Sequence, residues 1–155
     1  LMDVWRLPLR SHADPDGEGA RRYGGRWNAV GTAVIDTVSS LSLAVLELLI
    51  HVDVDLLPRH LVSVSAHVPD DLVRVTYAID ELPPDWNRPD GAMMLQRIGT
   101  TWATSRQSVV LEVPSVIVSQ ERNYVLTPHH PDFSRITWST PSPFAIDPRL
   151  FANPL

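Results

Sequence analysis

Between residues 61 and 68 the chain alternates, with Val62, Val64, Ala66 and Val68 set against Ser63, Ser65 and His67. A repeat of two puts the apolar set on one side of an extended backbone, so this run predicts a strand with one buried face. Further strands are predicted at residues 3–7, 32–37, 72–77, 108–113, 115–119 and 135–138, where shorter apolar stretches are bounded by Pro, Gly, Asp or Ser. Two segments switch to helical spacing. Ser39 and Ser40 offer a cap for a helix running to about His51, and Gly91 precedes a second from Ala92 to about Ser105, with Leu95, Ile98 and Trp102 on one face.

Strands outnumber helices and the two do not alternate regularly, which predicts an α+β domain rather than a doubly wound one. The 14 prolines gather at 83–89, 128–131 and 141–148, between the periodic runs rather than inside them, so many short elements joined by loops are expected. No repeat or composition break marks a linker. One compact domain over residues 3–151 is the expected organisation, with Leu1 and Met2 read as a tag residue and a start methionine.

Length and charge narrow the function classes. A chain of 155 residues can bury an ordinary core without a metal or disulfide staple. With 13 basic and 18 acidic residues the formal charge is −5, which gives no general attraction to phosphate backbones, so direct nucleic-acid binding is not expected. There is no cysteine, which removes disulfides, thiolate metal sites and cysteine nucleophiles and suits a cytoplasmic location. The longest apolar run falls far short of the roughly 20 residues needed to cross a bilayer, so no membrane association is expected.

Glu47 is the most informative residue. It is the one charged residue in the largely apolar run 41–50, and a helix apolar on almost every side is expected to be buried. A carboxylate in such surroundings needs a partner or a cavity, because burying an unpaired charge is costly or forces its pKa up. It is either a site carboxylate or half of a structural ion pair with an arginine.

Upstream, Gly24 to Asn28 read GGRWN. The paired glycines permit a close backbone approach, and Arg26 beside Trp27 can clamp a phosphate next to a stacking surface. The alternative is a glycine-rich turn with a solvated or structural arginine. Ser115, in VPSVIV, is either a turn residue after Pro114 or a binding hydroxyl, and no G-x-S-x-G elbow surrounds it. His12, His51, His60, His67, His129 and His130 show no metal-ligand spacing, so they are read as surface or loop residues and no metal is expected.

Together these segments resemble one family. WRL near the start, GGRWN-x-x-G, LAVLELLIH, LPPDW, VPSVIV, ERNYVLTPHHPDF and the terminal DPRLF occur in the order of RES-domain proteins, across nearly the whole chain. The resemblance implies a toxin of a bacterial toxin-antitoxin pair that consumes NAD, with a split, mostly antiparallel sheet similar to that of ADP-ribosyltransferases. It places the family's arginine at Arg26, its glutamate at Glu47, its serine at Ser115 and an asparagine at Asn123. On that basis Arg26 binds the phosphates of NAD, Glu47 stabilises the cation formed when nicotinamide leaves, and Ser115 and Asn123 position the nicotinamide end. Trp27 either stacks or belongs to the core. The implied partner is a DNA-binding antitoxin. The expected acceptor of ADP-ribose is a protein side chain, with water or phosphate as alternatives.

One position departs from the pattern. Where the family commonly has tyrosine after GGRWN, in a segment like VIYTS, this chain reads VIDTV with Asp36. Aspartate offers no ring to stack on nicotinamide and adds like charge near Glu47. Weakened turnover is therefore expected, or a role mainly as an antitoxin- or nucleotide-binding module.

Overall fold

The computed structural model describes residues 2–52 and 59–151. Among these residues there are eight strands: β1 (Met2–Arg6), β2 (Ile35–Val38), β3 (Val62–Val68), β4 (Arg74–Thr76), β5 (Val110–Pro114), β6 (Arg122–Leu126), β7 (Thr137–Trp138) and β8 (Ser142–Pro143). Three helices accompany them: α1 (Glu18–Tyr23), α2 (Leu41–His51) and α3 (Ala92–Ser105). The strand order is β4-β5-β6-β2-β1-β3-β7, with β8 also paired to β3. Among the described strands only β4 and β5 run parallel. This is the α+β architecture expected, with its mostly antiparallel sheet.

The split in the sheet has a definite place. β1 pairs with β3 over five residue pairs, and β2 with β6 over four, yet β1 meets β2 at a single pair, Trp5 with Val38. Two halves of the sheet therefore diverge from a narrow junction, and Arg6 and Asp36 lie beside it on the two strands.

β3 keeps its alternation, with Val62, Val64, Ala66 and Val68 buried. β5 and β6 are covered on both faces. Val110, Tyr124 and Leu126 pack with Val4, Ile35 and Ala66 on one side, and Leu111, Val113 and Val125 pack under α3 on the other. A strand covered twice loses the period of two and reads as a continuous apolar run. Each fully buried Val or Leu there contributes about 1.5–3 kcal/mol of apolar burial.

Four expectations need correction. Residues 115–119 form a turn instead of a strand, because Ser115 Oγ accepts from the backbone N–H groups of Ile117 (3.1 Å) and Val118 (3.2 Å). A short hydroxyl side chain competes here with the sheet for those donors. Residues 122–126 were not read as a strand, since Arg122 and Asn123 interrupt the apolar pattern, yet β6 is central to the sheet. The polar segment before GGRWN holds α1, bounded by Gly17 and Gly24 in positive φ (73° and 71°) and supported by a Glu18–Arg21 pair at 2.7 Å. Finally, α2 is not sunk in the core. Its cap is as expected, Ser40 Oγ accepting from Leu43 N–H at 3.1 Å, but only Leu43 and Ala44 are buried. They pack on Val38 while Ile50 is 61% exposed, so α2 is a surface helix flanking the sheet junction.

Candidate active site

The GGRWN segment is held by α3. A Cβ at Gly99 would overlap the carbonyl of Trp27, so the helix can approach only because that position carries glycine. Thr100 Oγ1 accepts from Ala29 N–H at 2.9 Å, and Gln96 Nε2 donates to the Gly25 carbonyl at 2.9 Å. Asn28, fully buried, donates from Nδ2 to the carbonyls of Ala20 (2.8 Å) and Thr32 (3.0 Å). The loop is thus a fixed frame. Trp27 is 3% exposed and packs with Leu95 and Trp102, so it serves as core and leaves no open face for stacking.

Arg26 projects from this frame. Its Nη1 donates to the carbonyls of Trp86 and Arg88, each at 3.2 Å, which ties it to the proline-rich loop and leaves the rest of the guanidinium for a ligand. Partial burial lowers its pKa and the charge of Glu47 opposes that shift. Among the described residues no ion pair joins Arg26 to Glu47, so the structural salt bridge considered for Glu47 is absent.

Glu47 is positioned from the sheet side instead. Asn123 Nδ2 donates to its Oε1 at 2.9 Å and Ser115 Oγ donates to the same oxygen at 3.3 Å. Burial raises the Glu47 pKa, while the two hydrogen bonds and the nearby His51 and Arg26 hold it down. The carboxylate is oriented through one oxygen, and no hydrogen bond from a described residue reaches the other. Ser115 is fully buried and reaches the site only through Glu47.

Asp36 completes the arrangement. In the β2–β6 ladder Asp36 stands opposite Val125 and Val38 opposite Asn123, so Asp36 and Asn123 present their side chains to the same face, one diagonal step apart. A Cβ on Gly25 would come within 3.9 Å of Asp36 Oδ2, which places the GGRWN loop directly over this carboxylate. The Asp36 side chain is open to the cleft, yet it lies deep in the concavity. That enclosure, and then the charge of Glu47, push its pKa up to about 6 against the pull of Arg6.

These groups line one cleft of about 490 Å³, whose walls include Arg26, Trp27, Asp36, Glu47, His51 and Asn123. Five of the six residues singled out from sequence therefore border a single cavity, and Ser115 lies behind its wall. Sequence reading missed three contributors. His51, read as a surface or loop histidine, sits one helical turn beyond Glu47 and faces the same cleft. Tyr23, 82% exposed, gives the rim its open aromatic surface. Arg6 is enclosed on the far side of Asp36, and its only signal was the WRL segment near the start of the chain. Among the described residues no helix is long and apolar enough to cross a membrane.

Comparison with known proteins follows the geometry. The RES domain family matches residues 3–147. A protein named Toxin Res from Photorhabdus laumondii is 39% identical over 152 residues, covering 96% of this chain and 97% of that protein. The Prs ADP-ribosylating toxin of a Sphingobium species is 35% identical over 152 residues, covering 94% of each. Among solved structures, the M. tuberculosis MbcT-MbcA toxin-antitoxin complex contains a chain of similar fold, with a TM-score of 0.73 at 17% identity, covering 97% of this chain and 86% of that one. The family match over nearly the full length, together with these relatives, shows that the chain belongs to the RES domain family.

Proposed function

We propose that this protein is the toxin of a toxin-antitoxin pair and that it cleaves the bond between nicotinamide and ribose in NAD, passing ADP-ribose to a protein side chain. One observation carries the reading: Glu47 is fixed by Asn123 at 2.9 Å inside a cleft that also holds the partly free guanidinium of Arg26. The cleft volume of about 490 Å³ falls within the range of small-molecule sites.

The chemistry follows from charge. When the glycosidic bond breaks, nicotinamide leaves neutral with the bonding pair and positive charge develops on the ribose, as in other oxocarbenium-like reactions. A carboxylate already oriented and partly shielded from water stabilises that cation without reorganising. Arg26 grips the phosphates, its orientation set by the Trp86 and Arg88 carbonyls. Asn123 and Ser115 act by holding Glu47 Oε1, and Asn123 also borders the nicotinamide end of the cleft. The Prs ADP-ribosylating toxin supports a protein acceptor by its name, and MbcT-MbcA supports an antitoxin partner. We take that partner to be a DNA-binding protein and the location to be the cytoplasm.

Incubating the purified chain with NAD and following free nicotinamide tests this reading. Release that disappears in Glu47→Gln is expected. No release, together with tight antitoxin binding, would instead indicate a binding module. A second reading, transfer of ADP-ribose to water or phosphate, is favoured by the second carboxylate in the cleft. Mass spectrometry of cell extract treated with labelled NAD distinguishes labelled protein, ADP-ribose and ADP-ribose phosphate.

A further inference from the structure

The charges of the cleft are divided between its two ends. Arg26, tied to the Trp86 and Arg88 carbonyls, supplies positive charge toward the proline-rich loop. At the sheet two carboxylates meet: Glu47 reaches in from α2 and is held by Asn123, and Asp36 stands one diagonal step from Asn123 on the same face. Asp36 is exposed to the cleft, and no hydrogen-bond donor among the described residues reaches it. Arg6 lies on its far side but is directed elsewhere, its two Nη atoms donating to the carbonyls of Ala13 and His12, each at 3.4 Å. The Asp36 carboxylate is therefore an unclaimed acceptor that faces the cleft beside Glu47.

The nicotinamide of NAD is a cationic ring that carries a carboxamide. The amide offers two N–H donors, and an ionised carboxylate can only accept. The same dinucleotide with a carboxylate in place of the amide, nicotinic acid adenine dinucleotide, brings an acceptor-only anion to the same place. Against Asp36 that group meets like charge and no donor, in a cleft that the bound dinucleotide screens from water. Resting on the NAD-cleaving reading above, we propose that Asp36 is a specificity-determining residue that admits the amide form of the dinucleotide and rejects the acid form. The selection works by exclusion of the acid, so it does not require Asp36 to tighten the binding of NAD. A tyrosine at this position has no charge with which to make the distinction.

The test uses the full chain at pH 7.5, where Asp36 is ionised, and measures kcat/KM for each dinucleotide from the release of nicotinamide or nicotinic acid. The native chain is expected to favour NAD by about 100-fold or more. Asp36→Asn keeps the size of the side chain, removes its charge and supplies a donor, so the preference is expected to narrow to about 10-fold or less. Calorimetry with Glu47→Gln, in which neither dinucleotide is consumed, is expected to show the same preference in Kd. Equal use of both dinucleotides by the native chain, or a preference that Asp36→Asn leaves intact, overturns the role of Asp36. Equal Kd values in Glu47→Gln overturn it as well. Absence of nicotinamide release from the native chain, with NAD still bound in preference to the acid form, overturns the cleaving reading and leaves the selectivity of Asp36 standing.

Discussion

Asn123 Nδ2 lies 2.9 Å from Glu47 Oε1, a hydrogen bond from the central strand β6 to the flanking helix α2. It joins the two parts of the molecule whose separation makes the cleft. α2 alone would leave Glu47 on a surface helix with freedom to turn toward solvent. β6 is a central strand covered on both faces, so the amide it carries sets where the carboxylate points.

Removing that amide therefore acts on orientation and on protonation. A hydrogen bond to a charged group contributes about 1.5–3 kcal/mol, so Asn123→Ala is expected to slow nicotinamide release by about 10–100-fold. The Asn123 bond holds the Glu47 pKa down, so its loss raises that pKa further. The acid side of the pH–rate profile should move to higher pH in the variant. A profile that falls uniformly without moving would show that Asn123 does not act through Glu47.

Asp36 also links pH to stability. Its pKa in the folded chain is raised, to about 6, so the fold holds this proton more tightly than the unfolded chain does. Below the unfolded carboxyl pKa both states are protonated and the group is neutral for stability. As pH rises through about 6 the folded state must ionise a carboxyl facing Glu47, and the penalty is complete above that pH. Asp36→Asn is expected to raise the melting temperature at pH 7.5 and leave it unchanged below the unfolded carboxyl pKa, at about pH 3. The effect should be modest, because the carboxylate is open to solvent in the cleft and the charge of Arg6 offsets part of it. A variant equally altered at both pH values would locate its effect in packing.

Asp36→Tyr probes the same position from the side of the substrate. It removes the like charge beside Glu47 and supplies a ring beside the cleft that Trp27, buried in the core, does not provide. Nicotinamide release is expected to rise at low NAD concentration, through a lower KM. An unchanged rate would show that the carboxylate is no obstacle to binding.

Much of this site was legible in the chain, for reasons visible in individual residues. Glu47 stood out as the one carboxylate in a largely apolar helix, and Arg26 because two glycines precede it. The β3 alternation survives because one face of that strand is buried. What the sequence hid depends on contacts distant in the chain. β6 was obscured because Arg122 and Asn123 are polar for reasons of their own. Arg122 donates to the Tyr77 carbonyl at 2.9 Å, and Asn123 donates to Glu47. Ser115 looked like either a turn residue or a binding group and is both a turn former and a donor to Glu47. The burial of α2 was over-read because an apolar helix can also flank a cleft, packed on the sheet through Leu43 and Ala44 while Leu46 and Ile50 stay exposed. Gly99 carried no local sign of its purpose, since the atom it avoids belongs to Trp27, 72 positions earlier in the chain.

Arg26 and Glu47 provide the sharpest separation between structure and chemistry. Two opposite charges in one cleft invite the view that they exist to neutralise each other and hold the fold. In that case the double variant Arg26→Met with Glu47→Gln would be more stable than the sum of the single changes allows, because removing either partner alone strands the other. The geometry points the other way. Arg26 is bound to the carbonyls of Trp86 and Arg88, and Glu47 to Asn123 and Ser115, so each keeps its partners when the other is replaced. Chemical denaturation of the two single variants and the double variant is expected to give a coupling energy below about 0.5 kcal/mol, the range of independent sites. Nicotinamide release is expected to be lost in all three. Strong coupling in stability would return the pair to the role of an internal salt bridge, whereas independence in folding with shared dependence in turnover means that the two side chains meet through the substrate between them.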